Sequence, residues 1–108
     1  AWRRPGVTAA TLRRLRRGQY AVRGELDLHG LRREEARAAL GPFLAAARAG
    51  GGRCVRIVHG KGLRSGPRGP VLKAALNGWL RRHRPVLAFC SARGPDGGSG
   101  AIYVLLDR

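Results

Sequence analysis

Two short segments of this 108-residue chain carry the side chains best suited to act on a phosphate group. Residues 26–30 read LDLHG, and residues 59–62 read HGKG. In an extended strand, the alternation of apolar and polar residues sends Asp27 and His29 to one face. A carboxylate and an imidazole therefore emerge side by side, which suits proton transfer.

The second segment ends the apolar run 54–58 with a loop that suits an anion. Gly60 and Gly62 have no side chains, so backbone amides can approach a phosphate closely. Lys61 lies between them and adds a positive charge. This loop is therefore predicted to bind phosphate.

The chemistry that fits these residues is cleavage of RNA through its own 2′-hydroxyl. That reaction needs a base, an acid for the leaving 5′-oxygen, and positive charge at the phosphate. His29 and His59 are predicted to be the base and the acid, in an order that the sequence leaves open, because imidazoles titrate near neutral pH. Lys61 and its flanking amides would hold the non-bridging oxygens, and Asp27 would orient an imidazole or accept a ribose hydroxyl.

Two other interpretations of the same residues stay open. In the first, the histidines cap strands and form only local hydrogen bonds, while the glycines merely turn the chain. In the second, Asp27, His29 and His59 hold a metal ion, for which they are acceptable ligand types.

The charge of the chain indicates a polyanionic partner. It has 22 Lys and Arg against 6 Asp and Glu, a formal net charge of +16 and a sequence pI near 11.9. Such a balance is typical of proteins that bind nucleic acid. No apolar stretch has the length of a membrane span, so a membrane partner is not expected. Cys54 and Cys90 lie in strand-like runs and are predicted to be buried, and the chain shows no signal peptide, so a cytoplasmic location is expected.

The pattern along the chain predicts a basic arm followed by one α/β domain. Residues 8–17 resemble a short basic helix that Gly18 ends, so 1–24 are assigned to the arm and 25–108 to the domain. Trp2 in this arm would either stack on a base or dock on the domain.

The domain is predicted to be a two-layer sandwich with the order β-α-β-α-β-β, a four-stranded mixed sheet and two main helices. The strands are predicted over 25–29, 53–59, 86–91 and 101–107, and the helices over 32–49 and 71–82. Pro42 lies inside the first of these helices and predicts a kink or a break there. Right-handed crossovers make the first two strands parallel, so both segments of interest fall at one edge of the sheet.

Four motifs in this order resemble those of the small MutS-related (Smr) domain. They are LDLHG at 26–30, HGKG at 59–62, PVLAF at 85–89 and GGSGAIYVLL at 97–106. The segment LRRGQY at 15–20 resembles the lead-in of stand-alone bacterial Smr proteins, as distinct from the domain at the end of a MutS-like ATPase.

The resemblance implies a fold like that of the C-terminal domain of translation initiation factor three, and it implies nuclease activity. DNA nicking is reported across the family, and some bacterial members resemble ribosome-associated factors that cut mRNA where ribosomes collide. The family's Asp-x-His motif falls on Asp27 and His29, and its Gly-x-Gly loop falls on residues 60–62.

Substrate binding is assigned to the cations and glycines that flank the two segments. These are Arg32, Arg33, Gly60, Gly62, Arg64, Arg68 and Arg93. The sequence thus predicts a monomeric endonuclease for single-stranded nucleic acid, with RNA favoured over DNA, no obligatory cofactor, and the ribosome as a candidate partner. The alternatives are a DNA-nicking enzyme that needs Mg or Mn and a non-catalytic module that binds nucleic acid or the ribosome by charge alone.

Overall fold

A five-stranded mixed sheet, with helices on both faces, forms the framework of the chain. The computed structural model describes residues 1–60 and 68–107, without the side chains of residues 68 and 69. The strands are β1 (Trp2–Arg3), β2 (Val22–Asp27), β3 (Cys54–Val58), β4 (Val86–Ser91) and β5 (Ala101–Leu106), and the helices are α1 (Ala9–Arg16), α2 (Arg33–Ala49) and α3 (Arg68–Arg82). Two short 3₁₀ turns, Gly94–Asp96 and Gly98–Gly100, connect β4 to β5.

The strand order places the two segments of interest at the same edge of the sheet. The order is β1-β4-β5-β3-β2, in which β2 and β3 are parallel and the other neighbours are antiparallel. Asp27 lies opposite Val58, so both strands end at one level. The predicted α/β class and the predicted parallel pair are confirmed.

The main core lies between the sheet and the pair α2 and α3. Alternate residues of each strand face this layer, as the pleat requires. Its fully or almost fully buried members include Leu28, Leu40, Leu44, Val55, Ile57, Leu72, Leu76, Leu80, Val104 and Leu106. Burial of this apolar set holds the sheet and the two helices together, and it fixes the strand ends that carry the candidate site.

Helix α1 packs on the opposite face, over β4 and β5. Thr8 begins the helix by accepting a hydrogen bond from the Thr11 amide at 3.1 Å, as an N-cap residue does. Leu15 is 1% exposed and belongs to a second core cluster with Cys90 and Tyr103. The residues assigned to a basic arm thus contribute β1, α1 and the first residues of β2.

The sheet has five strands where four were predicted. The additional strand, β1, pairs antiparallel with β4, with Trp2 opposite Phe89. The two rings stack with centroids 5.4 Å apart, and Arg4 lies over the Trp2 ring. Trp2 therefore docks on the domain. A strand of two residues is too short to show an alternating pattern in the sequence, and for that reason it was missed.

Of the kink or break predicted at Pro42, the break does not occur: α2 is one helix from Arg33 to Ala49 with the proline inside it. Leu40 and Leu44 lie on either side of the proline and are both buried in the main core. Packing of these side chains outweighs the hydrogen bond that a proline removes from a helix. The helix therefore stays whole across the sheet.

Cys54 and Cys90 are buried and unpaired, which confirms their prediction as buried residues. Burial, with a smaller contribution from Cys90, raises the pKa of the Cys54 thiol to about 12. Both thiols thus act as small apolar side chains. Within the described ranges, no helix is long and apolar enough to cross a membrane.

Candidate active site

Asp27 and His29 form a hydrogen-bonded pair at the end of β2. Oδ1 of Asp27 accepts a bond from Nδ1 of His29 at 2.6 Å and a second from the His29 backbone amide at 3.0 Å. The side chains are 51% and 60% exposed, respectively. Two bonds from one residue to one carboxylate fix the imidazole in a position that a substrate can reach.

The electrostatics of the pair determine which nitrogen of His29 is free to react. Partial burial acts to raise the pKa of the Asp27 carboxyl, but the hydrogen bonds from His29 and the charges of His29 and Arg56 outweigh it, so the pKa lies below its ordinary value. An ionised carboxylate only accepts hydrogen bonds, so Nδ1 of His29 is the donor. Nε2 is then the ring nitrogen that can exchange a proton with a substrate.

Arg56 supports this pair from the neighbouring strand, and sequence reasoning did not single it out. Its guanidinium donates to Glu25 Oε2 at 2.5 Å and to the backbone carbonyl of Asp96 at 2.6 Å. Glu25 and Asp27 are two residues apart on β2, so both face the same side as Arg56. The signal was present in the sequence, since Arg56 is the charged residue in an otherwise apolar run.

His59 lies at the same edge but faces the other side of the sheet. It is 0% exposed, and its Nδ1 donates to the Gly60 carbonyl at 2.9 Å. Its Nε2 is buried and has no hydrogen-bond partner among the described residues. The side chain lines a cavity of about 50 Å³ together with Lys73, Asn77 and Ser91.

The structure therefore does not bring His59 to the Asp27–His29 pair. Side chains along β3 alternate between the two faces of the sheet. Val55 and Ile57, four and two positions before His59, are buried beneath α2 and α3, so His59 faces that layer as well. The role of His59 in proton transfer stays a prediction. Its position suits a different task, since His59 and Gly60 both donate backbone bonds to the Gly100 carbonyl at 3.0 Å and thereby hold the start of the predicted phosphate loop.

Burial of His59 predicts a pH-dependent stability. Burial, and secondarily the charge of Lys73, lower the pKa of His59, although its bond to Gly60 opposes them. The unfolded chain, in which His59 has its ordinary pKa of about 6.5, then binds the proton more readily than the folded chain. The contribution of His59 to the free energy of unfolding is therefore complete above about pH 6.5. It falls as the pH drops below that value, by at most about 1.4 kcal/mol per pH unit. We expect His59→Asn, whose amide can still bond to Gly60, to be less stable at neutral pH and to lose less stability on acidification. Urea unfolding between about pH 7 and pH 5 measures this slope.

The matched control for that experiment is His83→Asn. Burial also lowers the pKa of His83, so His83 adds its own contribution to the change of unfolding free energy with pH. The control variant removes that contribution and keeps the one made by His59. An identical slope in the wild type and in His59→Asn would contradict the assignment.

The predicted cations lie on both sides of the pair. Arg32 and Arg33 are exposed and line a shallow groove between the start of α2 and the start of α3. Arg93 is exposed beside Gly18 and Tyr103, on the α1 side. Lys61, Gly62 and Arg64 lie outside the described residues, as does the side chain of Arg68.

Potential metal ligands are few at this edge. Asp27 and His29 supply two, and in the part of the chain that the structure describes no group of three or more His, Cys, Asp or Glu side chains is placed to hold a metal ion.

Comparison with known proteins agrees with this geometry. The model of the Smr domain matches residues 26–107, a range that begins within β2 and includes both Asp27 and His29. The chain belongs to the Smr family. The resemblance found from the four motifs is thereby confirmed.

Solved Smr structures share the fold. YdaL, a stand-alone small MutS-related protein from Escherichia coli, superposes with a TM-score of 0.86 and 36% identity over 99% of this chain and 82% of YdaL. The Smr domain of Thermus thermophilus MutS2 gives a TM-score of 0.70 and 35% identity over 79% of this chain and 99% of that domain. YdaL thus covers the N-terminal elements as well as the Smr domain.

Related sequences are named for a role at the ribosome. The ribosome rescue factor SmrB of Serratia proteamaculans is 38% identical over 104 residues, which are 96% of this chain and 56% of that protein. SmrB of Pectobacterium carotovorum is 40% identical over 103 residues, 95% of this chain and 54% of that protein. This Smr chain therefore spans about half the length of these relatives.

Proposed function

We propose that this Smr domain is an endonuclease that cleaves single-stranded RNA at the Asp27–His29 pair. The observation that carries the proposal is the 2.6 Å bond between Nδ1 of His29 and an exposed, ionised carboxylate. That bond orients the imidazole, fixes its tautomer and leaves Nε2 for the substrate. Local strand capping does not require an imidazole at this position to be so exposed.

In the proposed reaction, Nε2 of His29 takes the proton of a ribose 2′-hydroxyl. The 2′-oxygen then bonds to the adjacent phosphorus, and the bond from phosphorus to the 5′-oxygen breaks. The leaving oxygen takes a proton from water and becomes a 5′-hydroxyl, His29 returns its proton to the solvent, and the other fragment ends in a 2′,3′-cyclic phosphate. Asp27 stabilises the imidazolium that forms. The reaction needs no obligatory cofactor.

The second segment is assigned to phosphate binding and to its support. Lys61 and the amides of residues 60 and 62 would hold the non-bridging oxygens. We assign His59 the positioning of that loop, in place of the proton transfer that the sequence predicted, because its side chain is fully buried and bonded to Gly60.

The ribosome is the proposed partner of this activity. Relatives that share 38–40% identity with the chain are named ribosome rescue factors, and a net charge of +16 suits a surface rich in RNA phosphates. A partner of this kind would put the protein in the cytoplasm.

Product analysis tests the proposal. The wild-type domain and His29→Ala are incubated with single-stranded RNA and with DNA of the same sequence, in EDTA and in magnesium, with and without ribosomes. We expect RNA to be cut in EDTA to leave 5′-hydroxyl ends, DNA to stay intact, and His29→Ala to be inactive. The inactive variant also shows that no contaminating nuclease is present.

Other outcomes would replace the proposal with a defined alternative. Nicking of DNA that depends on magnesium would favour a metal-dependent nuclease, because that substrate has no 2′-hydroxyl. Binding of RNA without cleavage, in the presence of ribosomes as well, would favour a module that only binds nucleic acid.

A further inference from the structure

The last turn of α1 lies on the same face of the sheet as the Asp27–His29 pair, near Arg93, which follows the end of β4 at the edge where the pair lies. Gly18 follows this turn, and a Cβ atom built on it would lie 2.8 Å from Cδ of Arg93 and 3.5 Å from the Tyr103 hydroxyl. Tyr103 pairs with Cys90 near the carboxyl end of β4. Leu15 of α1 shares a core cluster with Cys90 and Tyr103, which also places α1 beside that strand.

The exposed surface of this turn is strongly basic. Arg13, Arg16 and Arg17 are all exposed, and α1 contains no acidic residue. Residues spaced by three and four positions share one side of a helix, so these three arginines form a stripe. Ion pairs in the described part of the chain join Asp27 to His29 and Glu25 to Arg56, and none involves this stripe.

A series of contacts leads from Gly18, the residue after the stripe, toward the strand that carries Asp27. Arg93 lies against Gly18, and its amide donates to the Tyr103 hydroxyl. That hydroxyl donates to the Asp96 carboxylate, while the Asp96 carbonyl accepts from Arg56.

With the bond from Arg56 to Glu25, these contacts cross the sheet from β4 to β2, which is three strand spacings or about 14 Å. Arg93 adds a positive charge at the β4 end of this path. Further along, the charge of Arg56 is paired with Glu25, so among the described residues the positive charge available to a strand that reaches His29 lies at Arg93 and the stripe.

We propose that Arg13, Arg16 and Arg17, with Arg93, form a phosphate-binding surface for the RNA that flanks the cleavage site on the α1 side. The inference rests on the proposed function for its substrate. Guanidinium groups form charge-assisted hydrogen bonds to phosphate oxygens. The surface would hold the backbone of the strand without reading its sequence.

Salt-dependent binding tests this surface independently of cleavage. The ligand is a single-stranded RNA of about 12 nucleotides, within the span of a small domain, with 2′-O-methyl groups that block the proposed reaction. The test variant is Arg13→Gln/Arg16→Gln/Arg17→Gln. The matched control is Arg37→Gln/Arg82→Gln/Arg84→Gln, exposed arginines on or next to the helices of the opposite face. Each variant lowers the formal net charge of +16 by three.

We expect the α1 variant to bind about tenfold more weakly at physiological salt. Its plot of log affinity against log salt should be shallower by about 2, since each lost phosphate contact removes about 0.7 from the slope for a single strand. The control should keep the wild-type slope to within about one contact. For unmodified RNA, the α1 variant should need more substrate and reach the same maximal rate at saturation.

The result decides between a defined surface and general charge. Equal losses in the two variants would overturn the proposal and assign the binding to net charge. The proposal would also be overturned if the α1 variant had the melting temperature of the wild type and an unchanged slope of log affinity against log salt. If no RNA is cleaved but the difference between the variants persists, the nuclease proposal fails and the binding surface stands.

Discussion

Asp27→Asn is expected to lower kcat for RNA cleavage by about 10²–10⁴-fold and to leave binding of 2′-O-methyl RNA within about threefold of the wild type. Asparagine is nearly isosteric but neutral, so it can bond to the imidazole and cannot stabilise an imidazolium. The ionised carboxylate, held below its ordinary pKa by His29 and Arg56 against the effect of burial, is therefore the property under test. Single-turnover cleavage and equilibrium binding measure the two quantities separately.

Glu25→Gln is the matched control for this prediction. Glu25 lies two residues earlier on the same strand, is equally exposed and is bonded to Arg56, so the substitution removes the same charge from the same face. We expect its kcat to stay within about threefold of the wild type, since exposed ion pairs contribute little. Equal losses in the two variants would show that the charge of the face matters and that the orientation of His29 does not.

Exogenous imidazole adds a readout that a loss of folding would not give. His29 is 60% exposed, so free imidazole can enter the space that His29→Ala leaves. We expect imidazole to restore part of the activity of His29→Ala and none of the activity of Asp27→Asn, which still holds its own imidazole. Rescue of neither variant, with both folded, would contradict a role for His29 as the base.

The Asp27–His29 pair could be predicted because its geometry is local. β2 ends at Asp27 rather than at His29 as predicted, and the two side chains still meet because the His29 amide, two residues on, bonds to the Asp27 carboxylate. The parallel arrangement of β2 and β3 followed from the helix predicted between them, since a βαβ crossover joins parallel strands. Both results depend on rules that act within one strand or one βαβ unit, and such rules can be applied to a sequence alone.

The side that His59 faces required the register of two strands. Sharing an edge of a sheet does not mean sharing a face, and the pairing of Asp27 with Val58 turns His59 to the helical layer. The alternation of Cys54, Arg56 and Val58 against Val55 and Ile57 carries this information in the sequence. This pattern shows which face His59 is on only when the register of β2 beside β3 is also known.

The N-terminal elements depended on contacts between distant parts of the chain. Strand β1 exists because Trp2 stacks on Phe89, 87 positions later in the sequence numbering, and α1 has a buried side because Leu15 meets Cys90 and Tyr103. The composition of a basic segment does not reveal that Trp2 and Leu15 pack against residues so far along the chain. The same segment read alone has the pattern of a solvated arm.

Leu15→Ala is expected to destabilise the whole domain by about 2–5 kcal/mol. Leu15 is 1% exposed and fills the space between α1 and the sheet, so its truncation leaves a cavity lined by the β4 and β5 side chains of the second core cluster. For a chain of this size the loss corresponds to a fall in Tm of roughly 10–25 °C. Thermal unfolding followed by circular dichroism measures it.

Leu12→Ala makes the same chemical change one turn earlier, where the side chain is only half-buried, and should cost about half as much. The comparison tests whether residues 1–24 are an arm or part of the folded unit. If Leu15→Ala melted with the wild type, α1 would be a detachable arm, and the basic stripe of Arg13, Arg16 and Arg17 would have no fixed position on the sheet. A single cooperative transition, lowered most by Leu15→Ala, would show that the helix carrying the proposed phosphate surface is held rigidly against the sheet that carries the catalytic pair.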